Sequence, residues 1–338
     1  MTKKIKYLTC IILVISTFSC YGQQETDPPK IQEKSEDTWT FTVEVGIEKQ
    51  TADAVGGYEK ARQIIESQFA KINDKFNTAG VFDKKFCFKV SSFFMFEGPS
   101  SNFCFSAHPC CDVRMIYNGF CAEDDAGGGW YSGNIKCIHH RWNMDHRGGP
   151  FGSAATDGIA HEFGHVRGAI DIYALKVDKE RNPVNQEAFD GVKSIMNACY
   201  GETEWDLHSV YMINASADSI NPPDLRNLFP PEIGIRVLSE DDSPLPDCTI
   251  RVFPVSWYSY TVQEKAVVEG TSGNDGKFKF RENPFGISFG DKYPWNIEYC
   301  NFLIEVSGNN KKAYAWMPIN EVQNAFFEGE NFLLIVRL

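Results

Sequence analysis

The sequence predicts an α+β domain over residues 38–225 followed by an all-β sandwich domain over residues 230–338. Three observations carry this expectation. Between residues 38 and 166 the apolar residues alternate between the strand period of two and the helical period of 3.6. Beyond the stretch from Asn221-Pro222-Pro223 to Phe229-Pro230-Pro231, only short apolar runs separated by turn residues remain. Near the end of the first region, residues 161–171 read H-E-F-G-H-V-R-G-A-I-D, which places metal ligands at helical spacing.

In chain order, Lys3, Lys4 and Lys6 precede an apolar run from Tyr7 to Phe18 and then small residues, the pattern of a signal peptide over residues 1–22. Export is therefore expected. Thr17-Phe18-Ser19-Cys20 is a loose lipobox that would leave a lipid on Cys20 and the protein at a cell-surface or outer membrane. Cutting after Gly22 would instead release a soluble chain, and both fates remain open. Residues 23–37 form a charged linker with Pro28-Pro29, too short to fold as an inhibitory prodomain.

Trp39, Phe41, Val43 and Val45 alternate as in a strand. Ala61, Ile65, Phe69, Ile72 and Phe76 recur at helical spacing, predicting a helix from Tyr58 to Phe76 with Gly80 just beyond it. Apolar runs at Phe86 to Phe96, Val113 to Tyr117 and Trp130 to Ile138 predict further strands. His139, His140 and His146, with Asp145 among them, offer a second metal site. Arg141 and Arg147 in the same loop argue against it, because cations disfavour a nearby metal ion.

Eleven cysteines are present. Setting aside Cys10 and Cys20 leaves nine, and an exported chain so rich in cysteine is expected to form disulfides, with one thiol left over. Cys104, Cys110, Cys111, Cys121 and Cys137 crowd into a glycine-rich stretch and predict stapled loops. The formal net charge of −12 leaves no basic stripe for phosphates, so nucleic acid is excluded as a main partner. Asp124-Asp125 and Glu240-Asp241-Asp242 invite a structural calcium, although solvated turns explain them more simply. Nothing in the sequence signals an oligomer.

The 161–171 segment carries the chemistry. On a helix His161 and His165 lie one turn apart on the same face, so both rings reach one cation, and Glu162 sits beside them as a general base. Gly168 lets the helix stop in a left-handed turn that brings Asp171 back as a third ligand. Three protein ligands leave one tetrahedral position open, which separates a catalytic zinc from a structural one. No G-x-S-x-G elbow suggests a serine mechanism instead.

These eleven residues resemble the metzincin zinc endopeptidases, whose signature is H-E-x-x-H-x-x-G-x-x-H followed by a methionine turn. Asp171 stands where most of them carry a third histidine. The snapalysin-like and immune-inhibitor-A-like peptidases carry Asp there, and Asp171-Ile172-Tyr173 matches their G-x-x-D-x-Y. The resemblance implies one catalytic Zn2+, a protein or peptide substrate, Met196 of Ser194-Ile195-Met196-Asn197 as the methionine beneath the metal, and Tyr200 as a residue aiding the metal or the transition state. It also implies that the last strand before the active-site helix, here Trp130 to His139, lines the cleft and pairs with substrate.

In the second region, Ile233 to Val237, Cys248 to Phe253, Lys277 to Phe280, Phe302 to Val306, Ala313 to Met317 and Phe332 to Val336 predict strands, with a turn at Asn274-Asp275-Gly276. The phrase from Pro244 through Gly270-Thr271 to Asp275-Gly276-Lys277-Phe278 resembles carboxypeptidase regulatory-like and transthyretin-like modules, which implies a supporting or binding role. Cys248 and Cys300, alone in this region, are candidates to bridge its sheets. Two alternatives stay open: a non-catalytic surface protein that binds a glycan or protein on the same fold, and a thermolysin-like site whose third ligand is a later glutamate such as Glu187.

Overall fold

The computed structural model describes residues 38–100, 103, 111–120, 136–145, 147–199, 202, 204–216, 222–286 and 297–338, and the backbone alone of 128–132. The signal segment, the linker, Cys104, Cys110, Cys121 and Asp124-Asp125 lie outside them. Strand β1 (Thr38–Glu48) leads into helices α1 (Lys49–Ala54) and α2 (Tyr58–Phe76). Strands β2 (Lys85–Phe96), β3 (Val113–Asn118), β4 (Gly128–Ser132) and β5 (Cys137–Arg141) follow, then helix α3 (Ser153–Val166).

These strands form one sheet of order β2-β1-β3-β5-β4. The first four in that order are parallel, and β4 runs antiparallel to β5 at the edge. A parallel sheet is covered on its faces, and β3, β5 and the second half of β1 are buried nearly throughout, while β2 at the edge is largely exposed or half-buried. Glu44 of β1 is consequently trapped inside, and Arg114 of β3 neutralises it at 2.6 Å. The predicted Trp130 to Ile138 strand is corrected here. Two antiparallel strands replace it, and β5, the last strand before α3, is internal, so β4 is the strand left at the edge.

Helix α2 buries Ala61, Ile65, Phe69, Ile72 and Phe76, the stripe that periodicity predicts. Phe163 of α3 fills the space between α2 and the sheet, 5.8 Å from the Phe69 ring and 4.1 Å from that of Phe88. A buried polar chain fixes the register of α3. Gln68 donates to the Thr156 hydroxyl at 3.0 Å and to the Pro150 carbonyl at 3.1 Å, while Tyr117 donates to the Gln68 carbonyl oxygen at 3.0 Å. Every member of the chain has a partner, which is what makes buried polar groups specify one arrangement.

After helix α4 (Leu207–Ala215), seven strands make two further sheets. They are β6 (Ile233–Leu238), β7 (Thr249–Ser256), β8 (Val268–Thr271), β9 (Lys277–Lys279), β10 (Tyr299–Gly308), β11 (Lys311–Pro318) and β12 (Phe332–Arg337), with helix α5 (Ile319–Phe327) between the last two. One sheet has the order β11-β10-β7-β8 and the other β12-β6-β9. Neither β8 nor α5 is foreseen from the sequence.

The Cys248–Cys300 bridge is also corrected. Both thiols are buried and unbridged. In the antiparallel pairing of β7 with β10, Thr249 faces Ser307 and Tyr299 faces Ser256, so the two cysteines sit at opposite ends of one sheet. At strand spacing that is roughly 20 Å, far beyond a disulfide's reach. Cys87 and Cys111 are unbridged as well, so more than one thiol is left over, whereas Cys137 is disulfide-bonded.

The described residues from 38 to 338 form a single unit despite the Pro-rich boundary. One continuous apolar core runs from Phe41 and Phe163 through Leu225 to Phe302 and Val336, and buried polar groups add hydrogen bonds across the boundary. His208 of α4 meets the Gln323 side chain of α5 at 2.9 Å, Gln323 donates to the Leu225 carbonyl at 3.1 Å, and Asn301 of β10 donates to the Leu175 carbonyl at 3.3 Å. One cooperative thermal transition is therefore expected by calorimetry. Two separable transitions, or a chain ending at residue 229 that unfolds cooperatively by itself, would contradict this coupling.

Candidate metal centre

Helix α3 carries the H-E-x-x-H residues in its last two turns, and its end is built to bend the chain back. Gly168 adopts φ +90°, and the amides of Gly168 and Ala169 donate to the carbonyls of His165 (2.9 Å) and Gly164 (3.0 Å). This is a Schellman closure, which needs a left-handed residue where glycine alone is unstrained. Buried Arg167 secures the far side through the Ser216 carbonyl and by stacking on Phe41, 4.4 Å from its centroid. The chain then returns to place Asp171 beside the helix.

The three expected ligands converge. His161 Nε2 lies 3.0 Å from Asp171 Oδ1 and 3.1 Å from His165 Nε2, and His165 Nε2 lies 3.1 Å from Asp171 Oδ1. Each ring is oriented from behind. His161 Nδ1 faces the Ile195 carbonyl at 2.9 Å and His165 Nδ1 faces the Ala169 carbonyl at 2.8 Å. A carbonyl can only accept, so both Nδ1 atoms carry the proton in the neutral rings and both Nε2 atoms present lone pairs. Two nitrogen lone pairs and a carboxylate oxygen thus point at one another within a buried site. Such a set has the spacing to hold a cation, since tetrahedral zinc bonds of about 2.0–2.1 Å would space three ligand atoms roughly 3.3 Å apart.

Charges here are strongly coupled. Burial works against a charged His165, but the adjacent Asp171 carboxylate outweighs it and lifts the pKa to about 9. Burial likewise opposes ionised Asp171, yet His165 and His161 hold that carboxyl well below the usual range. Glu162 is buried next to the ligands, and its Oε2 has no hydrogen-bond partner. Burial raises its pKa, the two histidines pull it down, and Asp171 pushes it further up. A buried carboxylate oxygen without a partner beside three metal-competent side chains is a common mark of a functional site.

Met196 is fully buried in the turn after this segment. Ser194 holds the turn, accepting from the Met196 amide at 2.9 Å and donating to Asp206 at 2.6 Å, and the Met196 carbonyl accepts from the Ile172 amide at 2.9 Å. The thioether packs so closely under α3 that a methyl group on Gly164 would stand 2.6 Å from its sulfur and 3.1 Å from Trp205. Glycine between the two histidines is therefore a packing requirement.

Other expected residues fall elsewhere. Tyr200 and His146 lie outside the described residues. Glu187 is exposed and accepts from the Asn185 side chain at 2.9 Å, away from the three ligands. His140 is buried, donates from Nε2 to the Pro150 carbonyl at 3.0 Å and has its pKa lowered by burial to about 4. Among the described residues, His161, His165 and Asp171 make up the one group of three metal-competent side chains. Glu240 and Asp242 pair with Lys311 at 2.8 Å and Arg337 at 2.9 Å, and Asp241 accepts from Ser239, so these carboxylates are engaged separately. Sequence reasoning missed Tyr258, whose hydroxyl donates to Asp171 Oδ2 from 87 residues away. It also gave no role to Tyr173, which stacks on His161 with centroids 6.0 Å apart. Burial and the Asp171 charge raise the pKa of both phenols.

Three outcomes are expected. Gly164→Ala should destabilise the protein in urea titration by about 1–3 kcal/mol through overpacking. Gly158→Ala, where the new methyl would meet only Trp142 at 3.8 Å, should stabilise it by about 0.5–1 kcal/mol. Equal effects would contradict the packing described. Because the folded pKa of His140 is depressed, its contribution is complete above the ordinary 6.5 and is lost as pH falls toward 4. That loss is on the order of 3 kcal/mol. Chemical denaturation of His140→Gln, which keeps a donor for Pro150, should show a flatter dependence across this window.

No protein-family model and no curated protein matches the chain. Among solved structures it is similar to one titled "Structure of a chaperone-substrate complex", at 13% identity and a TM-score of 0.36. The match covers 54% of this chain, and the chain spans about a third of that one, 35% of its length. A likeness this distant identifies neither a fold nor an activity.

Proposed function

We propose that this chain is a zinc-dependent endopeptidase of metzincin type with aspartate as third ligand, exported to the cell exterior or surface, with a sandwich module at its C-terminal end. The observation that carries the reading is the convergence of His161 Nε2, His165 Nε2 and Asp171 Oδ1 within 3.0–3.1 Å, backed by carbonyls that fix both tautomers. Met196 beneath the helix, the glycine turn at residue 168 and the unpartnered Glu162 oxygen support it. Cys137 in a disulfide agrees with export. Among the described residues no helix is long and apolar enough to cross a membrane.

Zinc, when bound, would polarise a substrate carbonyl and make an attacking water more acidic. Glu162 does the proton work. Its carboxylate accepts the proton that the attacking water gives up and returns it to the amine as the peptide bond breaks. Strand β4 packs beside α3 and pairs with β5 on one side alone among the described residues. Its outer edge offers main-chain groups to an extended peptide, so it replaces β5 as the substrate-pairing strand in this reading.

The test uses residues 23–338. Wild type should bind one zinc and cleave an unstructured protein such as casein in a chelator-sensitive way. Glu162→Ala should keep the zinc and lose at least about 100-fold in cleavage rate. Zinc with no cleavage of any of a broad panel of unfolded substrates would favour the non-catalytic binding protein, and no zinc would refute the proposal.

A further inference from the structure

Asp171 is held by a residue 87 positions later in the chain. Asp171 directs Oδ1 at the two histidine nitrogens, and its second oxygen, Oδ2, accepts from the Tyr258 hydroxyl. Tyr258 follows β7, in the C-terminal pair of sheets. It is well placed to reach solvent, being 39% exposed, so its contact with Asp171 is not a by-product of core packing.

The loop that delivers it is built at a cost. Tyr258 and Tyr260 both adopt left-handed backbone, φ +55° and +52°, a conformation bulky side chains rarely occupy. Such strain persists only where surrounding contacts determine it. Here Trp257 is buried, Ser259 Oγ donates to the Ser256 carbonyl at 2.7 Å, and the Gln263 amide donates to the Pro254 carbonyl at 3.0 Å. The loop is also tied to the segment that follows Asp171. The Val262 amide donates to the Arg181 carbonyl at 3.0 Å, and the Arg181 guanidinium donates to the Ser259 carbonyl at 3.2 Å. Tyr173 completes the packing, stacked on His161 and 6.2 Å from the Tyr258 ring.

We infer that Tyr258 is a positioning residue for Asp171, and that the C-terminal module is thereby part of the metal centre and not a tether. This rests on reading His161, His165 and Asp171 as a zinc site. A carboxylate can offer a metal one oxygen or two. The phenol occupies Oδ2 and leaves Oδ1 as the single ligand, which limits the protein to three donor atoms and keeps a coordination position for substrate chemistry. Partners of this kind behind a ligand govern metal affinity and ligand orientation, and losing one costs about 10–100-fold in affinity.

The test compares wild type with Tyr258→Phe, which keeps the ring and removes only the hydroxyl. The readouts are zinc affinity by chelator competition, the visible absorption spectrum of the cobalt-substituted protein, and the unfolding midpoint of metal-free protein. Tyr258→Phe is expected to bind zinc about tenfold or more weakly, to shift the cobalt spectrum and to keep the metal-free midpoint. One zinc bound by both proteins with equal affinity and superimposable cobalt spectra would overturn the inference while leaving the zinc reading standing. A wild type that binds no zinc would remove both.

Discussion

Two hydrogen bonds from imidazole Nδ1 atoms to backbone carbonyls govern everything else at this site. They assign the protons of His161 and His165 to the rear of each ring and turn both lone pairs inward, toward the Asp171 oxygen. A proton on His165, stabilised by Asp171, satisfies this buried cluster, and a cation bound among the same three atoms would take that proton's place. The carbonyls that enforce this arrangement, from Ile195 and Ala169, belong to the turn bearing Met196 and to the glycine turn that ends α3.

The surrounding architecture serves that arrangement. The Gln68, Thr156 and Tyr117 chain sets the position of α3 over the sheet, and Phe163 locks it against α2. Gly164 admits the Met196 sulfur, and Gly168 reverses the chain within two residues. The C-terminal sheets close the last degree of freedom by holding the outer oxygen of Asp171 through Tyr258. Residues far apart in sequence thus determine the orientation of one carboxylate, and the hydrogen bonds between α4, α5 and β10 explain why the two halves stay registered.

Much of this was legible in the sequence because it depends on local periodicity. The α2 stripe, the strand alternation from Trp39 and the His-Glu-His spacing are properties of neighbouring residues, and Gly168 marks a turn that few other residues permit. What was not legible depends on pairing across distance. The 130–138 run reads as continuous because sequence does not reveal where a strand reverses and pairs with itself. Cys248 and Cys300 read as partners because two cysteines in a region invite a bridge, yet antiparallel register separates them by the length of the strands. Tyr258 carries no motif at all. Its role exists only because a strained loop crosses to a segment 87 residues earlier. Short β8 lacks the length for a periodic signal, whereas α5 does bury Ile319, Val322 and Gln323 at helical spacing and is obscured by lying directly between two strands.

The central claim is that His161, His165 and Asp171 form one metal centre. Anomalous diffraction at the zinc edge from crystals of the zinc-loaded protein tests it most directly. The account predicts a single strong peak bounded by His161 Nε2, His165 Nε2 and one oxygen of Asp171, each about 2.0–2.1 Å away. A peak held by other residues, or no peak between these three at full zinc loading, would contradict it.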